Sequence, residues 1–365
     1  MVSGPRRQYS GAKVASQLVS TLVDVGESYG ANPSHDAIPA CRFALRMIAF
    51  GSSMTSPEAY ERYAKPGILR AAEPDSAIFA FQAAGSIFRS YNLMLEKAAG
   101  HGDLEALVLV HQDAEIIDPH FCSKLRRVLR DPDVGLVGCV GAVSARSIAW
   151  WEGSVSGGSA VYRYGQLGGG DLPAVAWGGE ETSREVRTGE VETLDGFMMA
   201  LSPWTVRNIR FDESLGHLYG HDFDFCLQVR AAGKKVVTAD LEVAHHHSLD
   251  LVRENQPWVA AHIRVAEKWD GRMPGTTAPD GDDDWRQRAR RAEAEAALAR
   301  LLVRSKEFQR DAQEKELDDR LEEMTRSLSW RLTEPLRRLN ALRKASRLRR
   351  RRSRSSAGGA ARIGH

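Results

Sequence analysis

The chain has 365 residues, 42% of them hydrophobic and 27% charged, with a formal net charge of +2. That is enough apolar material for one large core or two ordinary ones. The longest apolar-or-Gly run, Val134–Val143, is ten residues, where a spanning helix needs roughly 20, so no bilayer crossing is expected. The 14 Pro and 32 Gly follow no fixed period, which excludes collagen-like and repeat architectures.

Other global features set further expectations. Four cysteines, Cys41, Cys122, Cys139 and Cys226, have spacing that fits neither a disulfide framework nor a zinc knuckle, so a reduced, cytoplasmic chain is expected. The first 32 residues carry no compact apolar stretch after their basic residues, and no secretory signal is read there. Charge is uneven: residues 335–365 hold eleven Arg and Lys and no acid, leaving −9 for the other 334 residues. Such a tail is a solvated segment, or a contact for anionic lipid or nucleic acid.

In chain order, residues 1–40 read as a loosely ordered leader with one short helix at Lys13–Val23. Residues 41–272 alternate apolar runs with amphipathic stretches. The runs are Phe43–Phe50, Ala77–Phe81, Ala106–Val110, Val134–Val143, Leu194–Leu201 and Lys235–Thr238; Ile87–Ala99 and Phe121–Leu129 read as helices between them. Strand–helix alternation at this spacing predicts an α/β domain with a mostly parallel, Rossmann-like sheet. From Glu152 to Gly189 the periodicity breaks around Gly pairs and triplets, and no Gly-rich run has the form of a phosphate loop. Residues 273–284 read as a linker. From Trp285 to Trp330 there is no Gly or Pro, which predicts a long helix over 285–334, either a short coiled coil or a helix packed on the body. Leu298, Leu301, Phe308 and Ala312 mark one seam; Leu317, Leu321, Met324 and Leu328 mark another, offset by a skip. Residues 335–365 form the basic tail.

Three clusters have the residue types for chemistry. In Leu107–Asp113, an apolar strand delivers His111 and Asp113 at its C-terminal end, the edge where open α/β sheets bind ligands. A carboxylate there can hold a divalent metal that bridges phosphates, or simply open the next turn. In Tyr219–Leu227, Asp222 and Asp224 sit two apart, too close to share a helix face. At a helix N-terminus one can cap while the other points into a site as a general base; a plain capping pair is the other reading. In His245-His246-His247, neighbouring side chains alternate on an extended segment, so at most two serve one site.

The stretches Thr193–Met199, Ile209–Glu213, Tyr219–Gly233 and His245–Ser248 follow one another in an order and spacing that resembles the catalytic half of family 2-like inverting glycosyltransferases with the GT-A fold. The tail sequence Ser327–Arg337 resembles a signature of bacterial polysaccharide glycosyltransferases. The resemblance implies roles for individual residues. Asp113 matches the metal-binding Asp of the Asp-x-Asp motif, and His246 is matched to the His that reaches metal or diphosphate. Asp222 matches the general base and Asp224 a supporting carboxylate. Asp195 and Gly196 match the turn below the acceptor, and Ser52 lies where the first strand meets the nucleotide. His111 stands in place of the first Asp of the metal motif, and His221 stands where many relatives carry Glu.

The resemblance also implies a nucleotide-sugar donor, a glycan or lipid-linked acceptor, a divalent cation (Mn²⁺ or Mg²⁺), and a single displacement with inversion. The tail adds possible peripheral contact with the inner face of an anionic membrane, and the long helix a homo-oligomer. Two other readings compete: a metal-dependent phosphohydrolase using Asp113, Asp222 and the His triplet, and a catalytically inactive GT-A-like interaction protein.

Overall fold

The computed structural model describes residues 47–82, 85–145, 147–164, 170–178, 188–246, 249, 251–269, 272, 283–333 and 335–337. The leader with its short helix, most of the linker, and residues 338–365 of the tail lie outside the described residues.

The chain opens with β1 (Met47–Met54), followed by α1 (Pro57–Ala59), a π-helical turn at Tyr60–Ala64 and α2 (Lys65–Ala71). Next come β2 (Ile78–Gln82), α3 (Ile87–Ala99), β3 (Leu104–Val110), β4 (Ala114–Ile116) and α4 (Phe121–Val128). The middle of the chain contributes β5 (Val134–Gly138), β6 (Val140–Val143), β7 (Ser154–Gly157), β8 (Val161–Arg163), β9 (Asp171–Pro173), β10 (Gly189–Val191), β11 (Thr193–Leu194) and β12 (Met198–Leu201). Then follow α5 (Pro203–Asn208), α6 (His221–Ala231), β13 (Lys235–Thr238), β14 (Val243–His246), α7 (Asn255–Lys268), α8 (Asp283–Arg326) and α9 (Leu328–Leu332).

The main sheet has seven strands in the order β10-β13-β5-β12-β3-β1-β2. β2, β1, β3, β5 and β13 run in one direction, while β12 and β10 run against it. β3 is buried along its length except at Glu105, the near-continuous apolar run of a strand covered on both faces. Against the sheet, α3 buries Phe88, Tyr91, Met94, Leu95 and Ala98 at helical spacing, and Ser86 caps its first turn by accepting from the Arg89 amide at 3.2 Å. This is an α/β domain with a mostly parallel sheet, followed by a long helix.

Two apolar runs that read as single strands are each divided. Val134–Val143 leaves the main sheet after Gly138, and Leu194–Leu201 enters it only at Met198. Between those points β6 and β11 pair with each other, Thr193 with Ala142 and Leu194 with Gly141, in a three-stranded sheet β11-β6-β7. Periodicity cannot mark such a break, because both halves are equally apolar. The segment after Glu152, which shows no period in sequence, supplies β7, β8 and β9, and β8 and β9 belong to a four-stranded sheet β4-β14-β8-β9.

The N-terminal half of α8 docks on the body. Ala294, Ala297, Leu298, Leu301 and Ser305 are buried, Ser305 donates to the Leu249 carbonyl at 2.7 Å, and Phe308 meets the edge of Trp177 at 5.0 Å. Among the described residues no helix is long and apolar enough to cross a membrane.

Candidate active site

The site forms where antiparallel β12 lies beside β3. Met198 is opposite Val110, and the His111 amide donates to the Phe197 carbonyl at 2.9 Å. The register places the Asp195–Gly196 turn, at the start of β12, beside His111–Asp113 at the end of β3. Gln112, between those two, accepts from the Thr55 and Ser56 amides at 2.8 and 2.7 Å, which ties the end of β3 to the end of β1. Ser52 on β1 is buried, and its hydroxyl has no hydrogen-bond partner among the described residues.

β14 brings in the histidines. It runs between β4 and β8, with His245 paired to Ala114 on one side and to Tyr162 on the other. The His245 ring stacks on Phe197 at 4.9 Å, and its Nε2 is 3.3 Å from Asp113 Oδ1. His111 lies 5.8 Å from His245, ring to ring. One ligand atom each from His111, Asp113 and His245 fall within 4.8 Å of one another. Burial pushes the His111 imidazole down to about 3, so it is neutral at pH 7, and its buried Nε2 lacks a partner among the described residues. Two imidazoles and a carboxylate of this kind fit a divalent transition metal such as Mn²⁺.

His245, and not the His246 that the resemblance implies, stands beside Asp113. His246 is the next residue on an extended strand, so its side chain takes the opposite face. There its Nε2 is 3.0 Å from Glu115 and its ring stacks on Tyr63 at 4.0 Å. His247 lies outside the described residues.

α6 supplies the carboxylates. Gly220 precedes it in the left-handed conformation, φ 81°, which glycine adopts without steric cost. His221 and Asp222 then start the helix. Asp222 accepts from the Gly196 amide at 3.0 Å and from the Phe223 amide at 2.8 Å. His221 Nδ1 is 2.7 Å from the Leu218 carbonyl, so Nδ1 carries a proton and donates it, and the buried Nε2 has no partner among the described residues. The His221 ring is 6.0 Å from His111, which links the helix to the β3 strand.

Asp224, two residues on, takes a different direction. It is buried, and it accepts from the Trp269 indole at 2.8 Å and from Gln228 at 2.8 Å, with the Lys268 ammonium 2.8 Å away. These contacts anchor α6 to the end of α7. None of them joins Asp224 to Asp222 or to the His111–Asp113–His245 group.

Asp195 lies on the turn before β12 and accepts from the Tyr162 hydroxyl. Burial pushes its carboxyl up to about 6; His245 pulls it back down and Asp222 adds to the rise. Three further residues here carried no signal in the sequence. Tyr162 sits on a strand within the segment that had no period. Tyr91 is an ordinary core position of α3, yet its buried hydroxyl has no partner among the described residues, and its phenol is pushed up by burial and by the charges of Asp222 and Asp113. Arg253 follows the His triplet and reaches to 4.0 Å from Asp113, with most of its side chain exposed.

A model described as a glycosyltransferase-like family matches residues 69–271, more than half of the chain. The chain belongs to this glycosyltransferase-like family. The matched span contains α3, both flanks of the Asp195–Gly196 turn, α6 and β14, though it begins after β1. Among the relatives of this glycosyltransferase-like chain, the streptomycin biosynthesis protein StrF of Streptomyces griseus is 32% identical over 211 residues, which are 55% of this chain and 67% of StrF. Solved structures with some likeness include a mannosyltransferase of Pyrobaculum calidifontis in complex with GDP-Man and Mn²⁺. It is 13% identical, with a TM-score of 0.39 over 79% of this chain and 82% of the other. GalNAc-T7 with UDP, GalNAc and Mn²⁺ is 10% identical, with a TM-score of 0.39 over 68% of this chain and 54% of the other.

Proposed function

We propose that this protein transfers a sugar from a nucleotide-sugar to a hydroxyl of a glycan or lipid-linked acceptor, by a single displacement that inverts the anomeric centre. The observation that carries this reading is the meeting of two different devices at one sheet edge: a metal-type group on β3 and β14, and a carboxylate held by two backbone amides at the start of α6.

Asp113, His245 and His111 would hold a divalent cation, Mn²⁺ or Mg²⁺. Bound there, the ion would offset charge on the leaving diphosphate. Arg253, exposed beside Asp113, adds a cation that can meet a phosphate oxygen. Ser52 offers its hydroxyl to the donor from the end of β1. Asp222 is assigned as the general base: the Gly196 and Phe223 amides fix its orientation, so its carboxylate can take the acceptor proton as the oxygen attacks. Asp195, held by Tyr162, shapes the floor under the acceptor. The contacts of Asp224 favour an anchoring role over a catalytic one. The basic tail is assigned a peripheral role, drawing the enzyme toward anionic lipid where lipid-linked acceptors reside.

A thermal-shift panel of nucleotide-sugars with and without Mn²⁺ tests the donor site. A transfer assay with an acceptor panel then tests the reaction. Metal-dependent stabilisation by one donor, followed by transfer that requires acceptor, is the expected result. Turnover that ignores acceptor and consumes only water would assign the site to a phosphohydrolase. Donor binding without any transfer would assign it to an inactive binding protein.

A further inference from the structure

The long helix changes character at Phe308. Up to that residue one apolar face, Ala294, Ala297, Leu298 and Leu301, is buried against the body. Beyond it, from residue 313 to 326, every residue is exposed, although the apolar spacing continues. Leu317, Leu321 and Met324 on α8, and Leu328 at the start of α9 just after the bend at Ser327, follow one another at intervals of four, three and four and are 60%, 53%, 43% and 74% exposed. That spacing is the seam of a coiled coil, in which each apolar residue inserts between four of a facing helix. Nothing in the described residues faces this seam.

The charges around the seam say what fits it. Residues 311–323 carry seven acids (Asp311, Glu314, Glu316, Asp318, Asp319, Glu322 and Glu323) against Lys315 and Arg320, a net of −5. Residues 324–337 carry Arg326, Arg331 and Arg337 against Glu334, a net of +2. The stretch is therefore a dipole of charge, acidic first and basic after. A parallel pair would lay acid against acid. An antiparallel pair that meets at the middle of the seam lays residues 324–337 of one copy, net +2, along residues 308–321 of the other, which carry five acids against Arg310, Lys315 and Arg320, net −2.

The apolar seam obeys the same symmetry. With a two-fold axis between Leu321 and Met324, Leu321 of one copy faces Met324 of the other, and Leu317 faces Leu328. All four seam positions are then matched at once, and the exposed Leu332 and Leu336 beyond them lie opposite Gln313 and Gln309 outside the seam. A self-complementary patch of this kind is what a two-fold interface requires.

We infer that the seam Leu317–Leu321–Met324–Leu328 is an antiparallel dimer interface, and that its occupant is the same segment, the end of α8 and the start of α9, of a second copy of this chain. The body stays free, because the docked half of the helix ends before the seam begins. The inference stands apart from the glycosyltransfer reading and does not use the candidate active site.

Sedimentation analysis of the full chain over a hundredfold concentration range tests association. A monomer–dimer equilibrium is expected, weakened by salt, and Leu321→Glu with Met324→Glu is expected to raise its dissociation constant at least about 100-fold. Both positions are exposed, so thermal unfolding of the body should be unchanged in that variant. Orientation is read from Leu317→Cys and Leu328→Cys, each placed in a Cys41→Ser background, since Cys122, Cys139 and Cys226 are buried. A disulfide-linked dimer that forms only when the two variants are mixed is expected. A chain that stays monomeric throughout would overturn the interface. Efficient cross-linking of Leu317→Cys to itself would overturn the antiparallel arrangement. Vesicle binding by a monomeric chain that is lost with Leu321→Glu would give the seam to a membrane instead.

Discussion

The Gly196 amide donates to the Asp222 carboxylate at 3.0 Å, and only glycine at position 196 leaves room for that contact. A Cβ there would lie 2.8 Å from His221 Nε2, 2.9 Å from Asp222 Cβ and 3.1 Å from Asp222 Oδ2. The turn before β12 and the start of α6 are thus pressed together at the two residues that the proposed chemistry places side by side.

Gly196→Ala should therefore move Asp222 without removing it. Misplacing a reacting group by about 1 Å can cost on the order of 100-fold in rate. We expect kcat to fall by that order while donor affinity changes little. The added methyl overpacks the turn, and a stability loss of about 1–3 kcal/mol should appear in chemical denaturation. A variant with wild-type kcat would show that the Gly196–Asp222 contact does not position the base.

Asp222→Asn and Asp224→Asn should differ in kind. Loss of a general base costs roughly 10²- to 10⁴-fold, so Asp222→Asn should lose transfer and retain donor binding. Asp224→Asn removes the charge that faces Lys268 and weakens the acceptor for Trp269. It should cost on the order of 2–4 kcal/mol of stability, with activity per folded molecule much less affected. If the two variants were equally inactive and equally stable, Asp224 would share in the chemistry.

How far the sequence reached can be stated from these same residues. β3 was legible because a strand buried on both faces is continuously apolar, and α3 because its apolar residues keep helical spacing. Asp113 was legible because it ends such a strand. The choice between His245 and His246 was not, because alternation says that the two diverge and not which one faces Asp113. That depends on the register of β14 against β4 and β8, a long-range pairing. Asp222 and Asp224 stand two apart in the sequence, and only long-range contacts separate their environments: Asp222 meets the Gly196 amide, and Asp224 meets Lys268 and Trp269, more than forty residues away. Tyr162 was hidden because a three-residue strand is too short to show a period.

The assignment of His245 predicts an order of metal affinity. Asp113→Ala should weaken Mn²⁺ binding most, because a carboxylate neutralises charge that an imidazole does not. His245→Ala and His111→Ala should follow, and His246→Ala should match wild type. Calorimetric titration of Mn²⁺ into the donor-free protein reads this directly. Loss of affinity in His246→Ala together with retention in His245→Ala would return the role to His246.

The basic tail predicts salt-sensitive lipid binding. Each basic residue near an anionic surface contributes about 1 kcal/mol, and salt screens it. The full chain should sediment with acidic vesicles at low salt and leave them as salt rises. A chain ending at Glu334 should fail to sediment with vesicles yet keep transfer to soluble acceptors. Equal vesicle binding by the shortened chain would remove the tail from this role.

Asp195 gives a prediction about pH. Its carboxyl is raised from an ordinary 3.8 to about 6, chiefly by burial. In the unfolded chain it ionises near the ordinary value, so between about 4 and 6 the folded state holds a proton that the unfolded state has lost. Stability from this group is therefore fully present below about 4 and declines as pH rises to about 6. The decline is bounded at about 3 kcal/mol, the free energy of a shift of about two pH units. Asn at this position cannot ionise, so Asp195→Asn should remove that part of the slope, and its advantage over wild type should grow from pH 4 to pH 6 and then level off. The measurement is urea denaturation of chelator-treated protein, because a cation held by nearby His245 would favour the ionised carboxyl and flatten the difference. Parallel stability profiles for the two proteins across that window would show that Asp195 ionises as an ordinary carboxylate, and the Tyr162 hydroxyl would then be donating to a charged group at every pH above 4.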